Sequence, residues 1–192
     1  MDRLVVLTVS TRPGRIGATI ADWFIEIARQ HGGFEVCPVD LAELDLPMLD
    51  EPIHPMERQY QHEHSRRWSS IMGEADALAL VMPEYNYAFT APLKNALDYL
   101  YHEWAYLSVG FVSYGGSSAG LRAVESVKPI LTRLRMVPVA SAVAVPLRQR
   151  VDAEGVLHPD EIMTESAVDL LDELVPLTAA LRQLRRPAVV GA

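Results

Sequence analysis

Four short apolar runs, Leu4–Val9, Ala77–Met82, Val109–Ser113 and Val137–Val145, are nearly continuous rather than alternating. A strand with one wet face alternates between apolar and polar residues. A strand covered on both faces does not, so these runs predict a parallel sheet with helices on either side. Phe34–Val39 is a fifth, weaker candidate. Its Pro38 has no N–H to give to a ladder, which places this strand nearer an edge.

Helical patterns lie between the runs. Ile16–Gln30 carries Ile20, Trp23, Phe24 and Ile27 at helical spacing and stops at Gly32-Gly33. Glu57–Met72 reads as a mostly polar helix. Pro92–Tyr101 carries Leu93, Ala96, Leu97 and Leu100 on one face, with Pro92 at the start. Ala119–Leu134 is a fourth helix, which Pro129 is expected to bend or to deprive of a hydrogen bond. Glu161–Arg185 is the last, with Pro176 a candidate interruption, and Leu41–Pro55 reads as a surface loop. Strands alternating with helices imply right-handed βαβ crossovers. Five of each in 192 residues fit one domain, residues 1–192. The expected fold is α/β: a flavodoxin-like, doubly wound, five-stranded parallel sheet of order 2-1-3-4-5 with helices on both faces.

The formal charge of −8 argues against general affinity for nucleic acid or anionic membranes, which need clustered Lys and Arg. No apolar run approaches the roughly 20 residues of a membrane span. Asp2-Arg3 leads straight into Leu4-Val5-Val6-Leu7, which does not read as a signal peptide, so the cytoplasm is the expected compartment. The single cysteine, Cys37, excludes an internal disulfide and is expected to be a small buried core residue.

In the order 2-1-3-4-5, strands 1, 3 and 4 are neighbours, and ligands sit beyond their carboxyl ends. The loops leaving these three strands are therefore informative. After strand 1 comes Ser10-Thr11-Arg12-Pro13-Gly14-Arg15-Ile16-Gly17 and then a helix. Hydroxyls, glycines and arginines at a helix N-terminus suit a phosphate. The loop is neither a Walker motif nor a G-x-G-x-x-G turn. Without that turn, Asp40 reads as a loop or capping residue rather than a ribose ligand. After strand 3 comes Pro83-Glu84-Tyr85-Asn86-Tyr87, a turn against which a planar ring system could lie. After strand 4 comes Ser113-Tyr114-Gly115-Gly116, where the glycines let backbone approach a ligand. Together the loops suit a phosphorylated planar cofactor.

These residues resemble the NADPH-dependent FMN reductase family, which includes flavin-dependent quinone and azo-compound reductases. Val9–Gly17 looks like the family's Gly-Ser-x-Arg phosphate loop, with Val9 where glycine is usual. Pro83-Glu84-Tyr85-Asn86 followed by Pro92–Tyr99 resembles its most specific signature. Ser113–Gly116 followed by Gly120–Ala123 is similar to its third flavin loop. The resemblance runs from about residue 4 to 145. It implies that Ser10, Arg12 and Arg15-Ile16-Gly17 bind the FMN phosphate, and that Pro83, Glu84, Tyr85 and Asn86 line the isoalloxazine. Ser113, Tyr114, Gly115 and Gly116 would flank its other edge. It also implies NADPH as donor, with Arg15 a candidate for its 2′-phosphate. The second substrate would be a small-molecule electron acceptor such as a quinone, azo compound or free flavin. Assembly would be as a homodimer or homotetramer. Trp104-Ala105-Tyr106-Leu107 lacks a lysine common in the family before strand 4.

The flavin would carry the chemistry, so no catalytic side chain is expected, and Glu84 reads as solvated or structural. No metal site is expected: His62 and His64 lie on a polar helix at i, i+2, where side chains do not share a face. A non-catalytic flavodoxin-type electron carrier and a flavin-binding interaction or sensor protein are the rival readings. Tyr99, Tyr101, Trp104 and Tyr106 exceed what one helical stripe can hide, which predicts an oligomer interface over Phe89–Tyr106.

Overall fold

The computed structural model describes residues 1–185. Its strands are β1 (Arg3–Thr8), β2 (Glu35–Asp40), β3 (Ala77–Pro83), β4 (Ser108–Gly115) and β5 (Val137–Pro146). They form one sheet in the order β2-β1-β3-β4-β5, with every neighbouring pair parallel. The helices are α1 (Gly17–His31), α2 (Leu41–Leu44), α3 (Glu63–Glu74), α4 (Ala91–Asp98), α5 (Leu121–Arg133), α6 (Leu147–Arg150) and α7 (Glu161–Arg185).

Successive strand residues point to opposite faces, and both faces are covered, which is why the runs are continuous. Val5, Leu7, Leu78 and Leu80 join Trp68, Leu93, Leu97 and Val127 in one core. Leu4, Val6, Ala77 and Ala79 join Ile20, Phe24 and Leu170 in the other. Each buried Leu, Val or Phe contributes about 1.5–3 kcal/mol relative to exposure. The first core is anchored by Trp68 and Trp104, edge to face with ring centroids 5.8 Å apart. Both indole N–H groups are satisfied, Trp68 donating to the Ala96 carbonyl at 2.9 Å and Trp104 to that of Leu97 at 3.0 Å. In the second core α7 lies so close to β4 that a Cβ on Gly110 would stand 2.8 Å from Leu170 Cδ2.

Several sequence expectations are corrected. The expected helix Glu57–Met72 is split: a 3₁₀ turn at Pro55–Glu57 ends where Arg58 adopts φ 53°, and α3 starts only at Glu63. The interval is held by Glu51, whose carboxylate accepts from the backbone N–H groups of Gln61 and His62. The loop Leu41–Pro55 contains α2, capped by Asp40, which accepts from Ala42 N at 2.8 Å. Pro176 does not interrupt α7. Cys37 is half-buried rather than core, its Sγ accepting from Arg3 Nη2 at 3.2 Å. His62 precedes α3, and its ring stacks on His64 at 5.2 Å, so the two do share a face.

The aromatic surplus is absorbed internally in part, with Tyr101 and Tyr106 remaining half-buried. Leu93, Ala96, Leu97 and Leu100 are buried as expected, but so are Tyr99 and Trp104. Segment 45–50 folds back over α4: Asn95 donates to the Pro47 carbonyl and accepts from Leu49 N, and Tyr99 OH donates to the Asp50 carboxylate at 3.0 Å. The exposed aromatics lie elsewhere, at Tyr85 and Tyr87. Among the described residues no helix is long and apolar enough to cross a membrane.

Candidate functional site

Register brings the three loops together. Thr8 pairs with Val81, and Met82 and Pro83 pair with Ser113 and Tyr114, so β1, β3 and β4 end side by side. Beyond those ends lies a crevice of about 130 Å3. Ser10, Arg12, Arg15 and Ile16 line it from the first loop, and Pro83, Glu84 and Tyr85 from the second. Tyr114, Gly115 and Gly116 supply the third wall. Leu147, the first residue of α6, adds an apolar patch that sequence reasoning missed. Three of the expected residues stand behind this lining. Gly17 opens α1, Asn86 sits at a turn tip, and Ser113 turns inward, donating to the Ala119 carbonyl at 2.9 Å.

The first loop is built around a free helix start. Ile16 caps α1 without a side-chain hydrogen bond, and the first turn holds no acid. The leading N–H groups of a helix lack intrahelical partners and carry the positive end of its dipole, so they favour an anion. Arg15 N donates to the Arg12 carbonyl at 3.1 Å, and Gly14, with φ 69°, turns the chain between them. The two arginines differ. Arg12 is exposed and makes no ion pair or side-chain hydrogen bond among the described residues. Arg15 is half-buried and held by Asp40 at 2.5 Å, so its charge is largely spent.

The second and third loops are locked to each other by Glu84. Its carboxylate, 9% exposed, accepts from Ser118 Oγ at 2.5 Å, Arg122 N at 3.1 Å and Arg122 Nη1 at 3.3 Å. Burial opposes its charge, but these bonds outweigh burial and hold the carboxyl below its ordinary 4.5. Glu84 is therefore held as a carboxylate between Ser118 and Arg122. Beyond it, Tyr85 and Ala88 exchange both backbone hydrogen bonds, closing a two-residue turn. Asn86 and Tyr87 both take positive φ, 50° and 72°, as such turns require. Asn tolerates this and Tyr does so at a cost; the Arg122 guanidinium lies over the Tyr87 ring at 4.0 Å. Ser10 Oγ and Tyr85 OH, 3.2 Å apart, tie the first loop to the second.

A larger groove of about 350 Å3 lies on the other side of the first loop, between Thr11, Leu41, Met48, Pro92 and Asn95. Sequence reasoning missed it too. Its Asn95 is already engaged, with Pro47 and Leu49. The smaller crevice alone joins an uncapped helix start, an unpaired arginine and a backbone wall. Among the described residues no group of His, Cys, Asp and Glu is placed to hold a metal ion.

Comparison with known proteins gives the crevice a family. Residues 3–149 match the model of the NADPH-dependent FMN reductases. The chain is 35% identical over 161 residues to an NAD(P)H-dependent FMN reductase of Schizosaccharomyces pombe, covering 82% of this chain and 79% of that one. It is 34% identical over 116 residues to an NADPH:quinone oxidoreductase of Arabidopsis thaliana, covering 57% and 59%. A flavoenzyme NAD(P)H:(acceptor) oxidoreductase of Paracoccus denitrificans shares the fold, with a TM-score of 0.71 at 18% identity over 94% of this chain and 98% of that one. The chain belongs to the NADPH-dependent FMN reductase family, oxidoreductases that use NAD(P)H and FMN.

Proposed function

We propose that this protein binds FMN non-covalently in the crevice and passes reducing equivalents from NADPH to a quinone, azo compound, free flavin or similar acceptor. The observation that carries this reading is the meeting of an uncapped α1 N-terminus, Arg12 and the Tyr114–Gly116 wall in one crevice. The residues fit the group. Arg12, Ser10 and the N–H groups of Ile16 and Gly17 offer donors for a phosphate. The crevice, about 130 Å3 and open to one side, would admit the phosphate end of the cofactor. The turn Pro83–Asn86 and the backbone of Gly115 and Gly116 would border the ring. A bound flavin supplies hydride acceptance and donation; the protein's share is to hold, orient and tune it.

Each substrate must reach the same reactive atom, and one crevice offers one approach. NADP⁺ therefore leaves before the acceptor enters, giving ping-pong kinetics. Arg15 is engaged by Asp40, so a preference for NADPH over NADH requires this pair to open or another cation to serve. The assembly is a cytoplasmic homodimer or homotetramer on this reading, with exposed Tyr87 rather than buried Tyr99 and Trp104 at the contact. An absorbance spectrum of the purified protein, followed by NADPH titration without oxygen, tests flavin content and reduction. Double-reciprocal plots at several quinone concentrations should be parallel, with NADP⁺ competing against quinone. A protein that cannot be loaded with FMN overturns the reading, and intersecting lines overturn the shared approach. Light scattering that finds a monomer at micromolar concentration overturns the assembly.

A further inference from the structure

Beneath the first loop, near Ser10, stands a buried hydroxyl that makes no well-formed hydrogen bond. Tyr114, the seventh residue of β4, is 3% exposed, and its hydroxyl has no hydrogen-bond partner among the described residues. Such a group forfeits its bonds to water and gains none in return, and native proteins keep few of them. Its position is specific. A Cβ built on Gly17 would lie 2.3 Å from the Tyr114 oxygen, 3.3 Å from the ring carbon that bears it and 3.5 Å from Ser10 Cβ. The hydroxyl thus occupies the space where any other residue at the first position of α1 would carry its side chain. It stands between the end of β1 and the uncapped first turn, in the lining that also contains Arg12 and Ile16.

Resting on the FMN reading above, we propose that the Tyr114 hydroxyl is a donor to the phosphate monoester bound at the α1 N-terminus, and that position 17 is glycine to let it through. Burial above all keeps the phenol above its ordinary pKa of 10, so the oxygen stays protonated and can donate to an anion. Hydrogen bonds to charged groups are the strong ones. The hydroxyl therefore discriminates a phosphorylated flavin from riboflavin, while its removal relieves an unsatisfied group in the flavin-free protein.

That difference of sign separates a ligand from a structural strut. In flavin-free protein, Tyr114→Phe should leave the melting temperature unchanged or raise it. Its Kd for FMN, read by quenching of flavin fluorescence, should rise about tenfold to a hundredfold, as for one hydrogen bond to a charged group. Its Kd for riboflavin should change less than threefold. Inorganic phosphate should displace FMN from wild type, and its own inhibition constant should rise in the variant by a factor similar to the rise in the Kd for FMN. NADPH, which carries its own phosphate monoester, should displace FMN in neither. Displacement by NADPH that the substitution weakens would assign the hydroxyl to the 2′-phosphate and overturn the FMN assignment. Gly17→Ala should destabilise the wild type and be tolerated better alongside Tyr114→Phe, where the nearest ring atom is 3.3 Å from the new methyl. An FMN-over-riboflavin preference that survives Tyr114→Phe, or a fall in the melting temperature, overturns the inference while leaving the FMN reading intact. A wild type that binds neither flavin overturns both.

Discussion

Glu84 offers a direct test of how the crevice is held in shape. Its carboxylate joins the end of β3 to the start of α5 and the loop before it through Ser118 Oγ, Arg122 N and Arg122 Nη1. Glu84→Gln keeps the volume, removes the charge and presents an amide NH₂ to a guanidinium that can only donate. A hydrogen bond to a charged acceptor contributes about 1.5–3 kcal/mol against about 0.5–1.5 for a neutral one. The Arg122 side chain is 41% exposed, so solvent screens its share. The net expected cost is about 2 kcal/mol. With a urea m-value of about 2 kcal/mol/M, the unfolding midpoint should fall by about 1 M at pH 7. The pH dependence comes from the direction of the shift. The folded carboxyl titrates below its ordinary 4.5, so its contribution is present above that value and is lost as pH falls through the folded pKa. Urea titrations at pH 7 and below pH 4 should therefore show wild type and Glu84→Gln converging in acid. Equal midpoints at pH 7, or a gap that persists undiminished in acid, would refute the lock.

Other substitutions probe the remaining parts of the site. Arg12→Ala should weaken FMN binding by about 1.5–3 kcal/mol, one to two decades in Kd, and leave riboflavin nearly unaffected; equal weakening of both flavins would place Arg12 away from the phosphate. Gly120 has φ 90°, and a Cβ there would stand 2.6 Å from Tyr114 N, so Gly120→Ala should cost about 2–4 kcal/mol in urea unfolding. At Gly116 nothing lies within 4 Å of a Cβ, so Gly116→Ala should stay within about 0.5 kcal/mol. Asp40→Asn can still cap α2 but releases Arg15, and FMN should then bind about two- to fivefold tighter, riboflavin unchanged; weaker FMN binding would mean that Asp40 aims Arg15 at the phosphate.

The sheet was legible because burial on both faces writes itself into β1, β3 and β4 as unbroken apolar runs, and because Pro38 marks an edge. The site was legible as far as it depends on chain order: each loop leaves its strand at the same end, and order 2-1-3-4-5 gathers them. The features that were not legible depend on contacts distant in sequence. Glu84 meets Ser118 and Arg122 at separations of 34 and 38 residues, and no local pattern announces that pairing. Tyr99 looked surplus because a helical stripe counts only one face. It is buried because a segment some 50 residues earlier bends back onto α4. The late start of α3 follows Arg58 in a left-handed conformation and an interval held by Glu51, neither of which a polar helical pattern reveals. Leu147 carried no signal, lying just past the stretch where family likeness could guide the eye.

An acidic chain can still present an anion site, because what an anion meets is the local charge. At physiological salt, interactions between exposed charges fade over about 8 Å, so carboxylates far from the crevice contribute little to its potential. Within it the charges pair off. Arg122 answers Glu84, and Asp40 answers Arg15. Arg12 is left without an ion-pair partner among the described residues, beside a helix start whose first turn contains no acid. The local sum is therefore one full positive charge and the dipole of α1, in a protein of formal charge −8. The pairs are not wasted: they fix the two walls and the first turn without competing for the anion. One unpaired cation next to aligned N–H groups selects by geometry more than by charge. On the proposed reading, a phosphate would meet the N–H groups of the α1 start, the Arg12 guanidinium and the Tyr114 hydroxyl together, a geometry that a net charge of −8 neither supplies nor prevents.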